Sequence, residues 1–88
     1  MRIEYLAEFN NDLDNISQRT VKKSVARIIH SVETAASLNE IANLKKLVGY
    51  KNAFRIRVGN YRIGIFLDGQ LVQFARIVHR KEIYDVFP

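Results

Sequence analysis

The run FRIRVGNYRIGIFLDGQLVQFARIV, residues 54–78, decides the fold. Apolar and polar side chains alternate along Phe54 to Val58, Tyr61 to Leu67 and Leu71 to Val78. That is the period of two that half-buried strands require. Gly59-Asn60 and Asp68-Gly69 interrupt the alternation, and each is a two-residue hairpin signal. The run predicts a three-stranded antiparallel meander. A turn at Gly59-Asn60 sets Val58 opposite Tyr61, Arg57 opposite Arg62 and Ile56 opposite Ile63. A turn at Asp68-Gly69 sets Gly64 against Gln73 and Arg62 against Ala75. One face then carries Phe54, Ile56, Val58, Tyr61, Ile63, Ile65, Val72 and Phe74. The other carries Arg55, Arg57, Arg62, Gly64, Gln73 and Ala75.

Upstream of the meander the period changes to that of a helix. Arg2 to Leu6 reads as a short strand that adds to the sheet. Ala7 to Ile16 reads as a helix with Phe9, Leu13 and Ile16 on one stripe. Ser17 is placed to cap a second helix, Gln18 to about Ala36, whose stripe is Val21, Val25, Ile28, Ile29, Val32 and Ala36. Arg19, Lys22, Lys23 and Arg27 lie opposite that stripe. The short connection predicts an antiparallel two-helix hairpin. Residues 39–50 read mostly as loop with a short turn of helix or strand, and residues 80–87 as a short tail. The expected architecture is α+β: an N-terminal strand and helical hairpin packed on one face of a small, mainly antiparallel sheet. The other face is left for solvent or a ligand. No linker or repeat divides residues 1–88, so one domain is expected.

Charge is unevenly spread. Residues 1–44 hold five basic and six acidic side chains, and residues 45–88 hold nine basic and three acidic. All of the net +5 therefore lies in the second half, a field that attracts polyanions. With no cysteine in the chain, disulfides, thiolate metal sites and a cysteine nucleophile are excluded. Met1 to Phe9 carries Glu4 and Glu8 and has no apolar h-region, so no signal peptide is expected. No apolar run approaches the roughly 20 residues of a membrane span. A cytoplasmic protein with no membrane partner is expected.

The meander's polar face sharpens the reading. Arg57 and Arg62 become direct cross-strand neighbours with Arg55 two residues along, and like charges placed so destabilise a sheet. A merely solvated face would intersperse lysine and glutamate, yet no acidic residue neutralises these three. Gly64 and Ala75 leave room beside them, so a concave surface is expected. Three planar guanidinium forks in a groove suit phosphate oxygens. His79 shares the parity of Ala75, which would put its imidazole on the arginine face as a proton carrier near neutral pH. Tyr84 could stack on a base, or pack with Ile83 and Phe87 as a hydrophobic plug. His30 and His79 lie on separate elements, and no metal-ligand cluster, nucleophile–base pair or glycine-rich phosphate loop is visible.

The order "basic-x-basic, then G-x-Y-R, then H-R-x-x-x-Y" is written here as Arg55-Ile56-Arg57, Gly59-Asn60-Tyr61-Arg62 and His79-Arg80-Lys81-Glu82-Ile83-Tyr84. Following a helical hairpin, it resembles the core of the RelE/ParE toxin superfamily of toxin–antitoxin systems. Lys45-Lys46-Leu47-Val48-Gly49-Tyr50 resembles the lead-in to the family's second strand. The resemblance implies a RelE-like toxin that cleaves mRNA in the ribosomal A site without a metal or other cofactor. A 2′-hydroxyl attacks the adjacent phosphate and leaves a 2′,3′-cyclic phosphate. It further implies that Arg62 holds the scissile phosphate, Arg80 supports the leaving group and Tyr84 orients the nucleotide. Arg55 and Arg57 then bind RNA, with Lys51 and Lys81 as further contacts, and His79 occupies a position where related toxins vary.

Well-studied members carry lysine where this chain has Arg55 and Arg57. A guanidinium does not give up its proton, so neither can serve as a simple general base. Either His79 or Tyr84 moves protons, or catalysis is mostly charge stabilisation. RNA supplies its own 2′-hydroxyl nucleophile, which suits such a site. The expected partners are a cognate antitoxin, the ribosome and mRNA, with DNA reached only through the antitoxin. Lys22, Lys23 and Arg27 offer positive surface to acidic antitoxin residues. Two alternatives are open: a ParE-like toxin that shares the fold and poisons DNA gyrase by protein contact, and a non-catalytic RNA-binding module.

Overall fold

A computed structural model describes all residues, 1–88. The strands are β1 (Arg2–Tyr5), β2 (Leu44–Lys46), β3 (Ala53–Val58), β4 (Tyr61–Asp68) and β5 (Leu71–His79). The helices are α1 (Ala7–Asp14), α2 (Arg19–Thr34) and a single turn, α3 (Ile83–Val86), with a 3₁₀ turn at Leu38–Glu40. The strand order is β1-β5-β4-β3-β2. Every pairing is antiparallel except β1 with β5, which run parallel.

The α+β expectation holds, and the apolar face of the meander is the core. Ile56, Val58, Ile63, Ile65, Val72, Phe74 and Ile77 join Phe9, Ile16, Val25 and Val32 in one buried cluster. Removing this much branched apolar surface from water is the main stabilising term. Aromatic edges lock α1 onto the sheet. The Phe9 and Phe74 rings lie 5.3 Å apart at 81°, and Tyr5 packs beside both.

The helix ends differ from the reading of the sequence. Ser17 does not cap α2; Gln18 stands at the N-cap with no side-chain bond. At the other end the helix stops at Thr34, and Ala35 turns into extended backbone at ψ 145°. Ala35 is therefore buried and Ala36 exposed. The amino nitrogen of Met1 donates to Val32, Glu33 and Ala35 carbonyls at 3.0–3.3 Å, satisfying acceptors that a helix end leaves open.

The meander's first turn matches expectation and the second does not. Gly59 has φ +58° and Gly69 φ +60°, the left-handed backbone that a type II′ hairpin needs at its first central position. The second turn is therefore Gly69-Gln70, with Asp68 paired to Leu71. Farther along, β4 and β5 slip by one: Ile65 pairs with Phe74 but Gly64 pairs with Arg76, which leaves Ala75 as a bulge. Gly64 thus faces Arg76 and not Gln73, and Arg62 faces Val78 and not Ala75. Beyond the bulge every side chain of β5 changes face. Ile77 enters the helix-side core and Val78 turns to the opposite side.

That opposite side is partly covered. Ile83 and Phe87 form a second cluster with Ala53 and Ala75, and Phe66 lies against the Phe87 ring at 4.9 Å. The space expected over Gly64 is filled: a Cβ there would lie 2.5 Å from the Phe87 ring. No helix is long and apolar enough to cross a membrane.

Candidate nucleic-acid interface

Phe87 closes one end of the sheet's far face, and the open remainder is cationic. The register sets Arg57 opposite Arg62 and Arg55 opposite Gly64. It also sets Lys45 of β2 opposite Arg55, so a fourth cation joins the three arginines. A cavity of about 250 Å³ is lined by Asn43, Leu44, Lys45, Arg55, Arg57 and Arg62. A second, of about 350 Å³, shares Lys45 and Arg55 with it and runs on past Val48 and Tyr50 to Tyr84. Together they make one groove.

Each arginine is held by the element beneath it. Arg62 Nη1 donates to the Gly59 carbonyl at 2.9 Å and the Tyr61 carbonyl at 2.8 Å, so the hairpin turn fixes the guanidinium. Its Nε and Nη2 have no acceptor within the chain and remain free for an anion. Arg57 Nη2 donates to Asn43 Oδ1 at 3.1 Å, and the Arg57 amide donates to the Asn43 carbonyl. Asn43 does both from a left-handed backbone at φ 62°, a conformation asparagine tolerates better than most residues. The Arg55 guanidinium lies 4.9 Å from the centre of the Tyr84 ring, a cation–π contact.

No carboxylate pairs with these side chains; the ion pairs of the chain are Arg76 with Glu8 and with Asp12. Arg62 records the consequence. Burial first, then repulsion from Arg55, Arg57 and Arg80, lowers its pKa below the ordinary guanidinium value. Arg80 is thus close enough to act on Arg62; its amide donates to the Asn60 carbonyl at 2.7 Å, which ties it to the same turn. The group remains a cation at neutral pH, at an electrostatic cost that a bound anion would relieve.

The remaining expected site residues are scattered. His79 pairs with Tyr61, and their rings meet edge to face at 6.0 Å. Tyr61 packs against the helix-side core, so His79 lies on that side, and its expected place on the arginine face is corrected. The bulge at Ala75 is the cause. His79 Nδ1 accepts from the Lys81 amide at 3.2 Å. Lys81 and Lys51 are exposed and line neither cavity; Lys51 belongs to the loop between β2 and β3. Tyr84 stays exposed while its neighbour Ile83 is buried, so the plug is made by Ile83 and Phe87 and not by Tyr84. Asn43, Lys45 and Tyr50 were missed. Pairing Lys45 with Arg55 could have been inferred by treating residues 44–46 as a third hairpin arm. Nothing local announces Asn43. No three His, Cys, Asp or Glu side chains are grouped so that they could hold a metal ion.

Residues 3–84 match the family model described as ParE toxin of type II toxin–antitoxin system, parDE. Over 89 aligned positions that span both proteins in full, the chain is 42% identical to toxin RelE3 of Methanocaldococcus jannaschii. Its fold superposes with a TM-score of 0.82 on a chain of the RelB-RelE antitoxin-toxin complex from Methanococcus jannaschii, at 42% identity. That match covers 96% of this chain and 98% of the other. The archaeal RelE-RelB complex from Pyrococcus horikoshii OT3 shares the fold at a TM-score of 0.73 and 16% identity, over 90% and 93% of the two chains.

Proposed function

The chain belongs to the ParE-toxin family of type II toxin–antitoxin systems, and from that premise we propose that it is a RelE-type endoribonuclease that cuts mRNA in the ribosomal A site. One observation carries the proposal. Arg55, Arg57 and Arg62 converge with Lys45 on one solvent-facing groove that no carboxylate neutralises. Keeping like charges together costs stability, which a polyanionic substrate explains and a protein-contact toxin does not require.

In the proposed reaction the 2′-oxygen attacks the adjacent phosphorus as the bond from phosphorus to the next 5′-oxygen breaks. The products are a 2′,3′-cyclic phosphate and a 5′-hydroxyl. The 2′-hydroxyl proton is lost and the departing 5′-oxygen gains one. Arg62, pinned by the Gly59 and Tyr61 carbonyls, holds the non-bridging oxygens with its free Nε and Nη2. Preorganised donors aimed at growing charge are the largest catalytic contribution such a site offers. Arg55 and Arg57 bind the flanking phosphates, Arg80 faces the leaving oxygen, and Tyr84 stacks on a base. His79 lies across the sheet and takes no part, which leaves Tyr84 to move protons or catalysis to rest mostly on charge stabilisation.

A cognate antitoxin completes the assignment. Support comes from the relatives solved as RelB-RelE complexes, and the exposed Lys22, Lys23 and Arg27 of α2 offer positive charge to an acidic partner. DNA is reached only through that partner. The ParE name of the matching family model favours a second reading, poisoning of DNA gyrase by protein contact. Purified protein added to programmed ribosomes separates the two. New mRNA 3′ ends that disappear in Arg62→Ala support the nuclease. Intact mRNA together with trapped gyrase–DNA complexes would replace it with the gyrase reading.

A further inference from the structure

Only four large apolar side chains are exposed, Tyr5, Val48, Tyr50 and Tyr84, and the last three line one cavity. Val48 is 95% exposed, Tyr84 66% and Tyr50 50%. Each loses the burial that normally rewards such residues, and clustered exposure of this kind marks a binding surface. The volume of about 350 Å³ lies in the range of small-ligand pockets. Leu47 lies half-buried at its base, and Lys45 and Arg55 join it to the phosphate-binding groove.

We propose that the loop between β2 and β3 is one wall of a nucleobase pocket, with Tyr50 facing Tyr84 across it. It receives the unpaired base whose own phosphate rests on Arg55 and Lys45. The inference rests on the nuclease reading and extends it by naming Tyr50 as a positioning residue for the RNA. The chemistry selects this occupant. A base offers a flat π-face to tyrosine, and its phosphate offers charge to the two cations one step away. A single-stranded chain presents both together, which a duplex with stacked bases does not. An acidic peptide would use the cations and leave the aromatic wall idle.

The test is binding of a short, uncleavable 2′-O-methyl oligoribonucleotide to the full chain, measured by fluorescence anisotropy. The comparison is with the same oligonucleotide made abasic at one position at a time. At one position the wild type should prefer the intact strand by roughly tenfold. Tyr50→Ala should erase that preference and Tyr50→Phe should restore it, while the salt dependence set by phosphate contacts stays unchanged. Both substitutions fall on an exposed side chain, and thermal unfolding should not distinguish them from wild type. Equal affinity for intact and abasic strands at every position would overturn the pocket. So would a Tyr50→Ala protein that keeps the preference. Either result leaves ribosomal mRNA cleavage and its loss in Arg62→Ala untouched, so the two readings fail separately.

Discussion

Arg62 on β4 and Arg76 on β5 lie within a few residues of each other on one sheet, in opposite circumstances. Arg76 is answered on every side. Its Nε and Nη2 donate to the two Asp12 carboxylate oxygens at 2.8 and 3.1 Å, and its Nη1 donates to Glu8 at 2.9 Å. The Asp12 hydrogen bond raises its pKa more than burial lowers it, and the charges of Asp12, Glu8 and Glu82 add to the rise. Arg62 is answered by two carbonyls and three other arginines. Its cation is disfavoured by the fold, while that of Arg76 is favoured. The difference teaches which arginine the fold needs: Arg76 fastens α1 to the sheet, and Arg62 leaves its charge unspent for something outside the chain.

Deleting each side of the comparison should give opposite phenotypes. Arg62→Ala carries the largest expected effect. Loss of one preorganised donor to a developing oxyanion costs about 10²–10³-fold in rate, so mRNA cleavage on programmed ribosomes should fall by at least about 10²-fold. Urea unfolding of the same variant should show stability equal to or above wild type. A variant that lost activity only because it unfolded would break the contrast. Asp12→Ala should do the reverse. It strips the partly buried Arg76 of its bidentate acceptor and leaves the Ile77 amide, now 3.0 Å from Asp12 Oδ2, without a partner. A loss of about 2–3 kcal/mol in urea unfolding is expected, with Asp12→Asn losing less because it keeps one acceptor. Cleavage per folded molecule should persist.

The two regions also differed in how far the sequence announced them. Alternation along Phe54 to Val58 and Tyr61 to Ile65 was enough to pair Arg57 with Arg62, because Gly59 allows one tight turn between them and the register follows from it. The Arg76 side was hidden. Its register depends on the bulge at Ala75, and a bulge is settled by what packs on both faces of a strand, not by local preference. One trace was present. Val72 and Phe74 are two apart, while Phe74 and Ile77, all three buried on the helix side, are three apart. A step of three in a period of two is where an extra residue must sit, and reading it would have turned His79 away from the groove. Lys45 comes from a strand of three residues, too short to show a period, and Asn43 stands just before it at a left-handed backbone position. Phe87 over Gly64 is a contact between distant parts of the chain, which composition does not reveal.

Alkali should loosen the fastened side first. Tyr5 packs on Phe9 and Phe74 at the junction of α1 with the sheet, and burial, with a smaller push from Glu33, raises its phenol above the usual value of 10.0. A raised folded pKa means that the unfolded chain releases this proton first. Tyr5 therefore contributes stability that is complete below pH 10 and is lost as pH rises through the folded value. The decline of unfolding free energy above pH 10 should be shallower in Tyr5→Phe, and an equal slope in the two proteins would show that its packing on Phe9 and Phe74 does not hold the phenol neutral.

The smallest effect tests the arginine groove alone. Arg57→Gln removes one of the three charges that press on Arg62 while leaving an amide able to reach Asn43 Oδ1. Arg57 is exposed, so burial changes little and the repulsion dominates the difference. A gain of about 0.5 kcal/mol is expected at low ionic strength, shrinking as salt screens the pair. Sulfate, as a phosphate surrogate, should raise the melting temperature of the wild type more than that of the variant, because the wild type has more repulsion for an anion to relieve. A variant less stable than wild type in low salt would mean that the arginines are held together by something within the fold. The groove would then need no ligand to explain it.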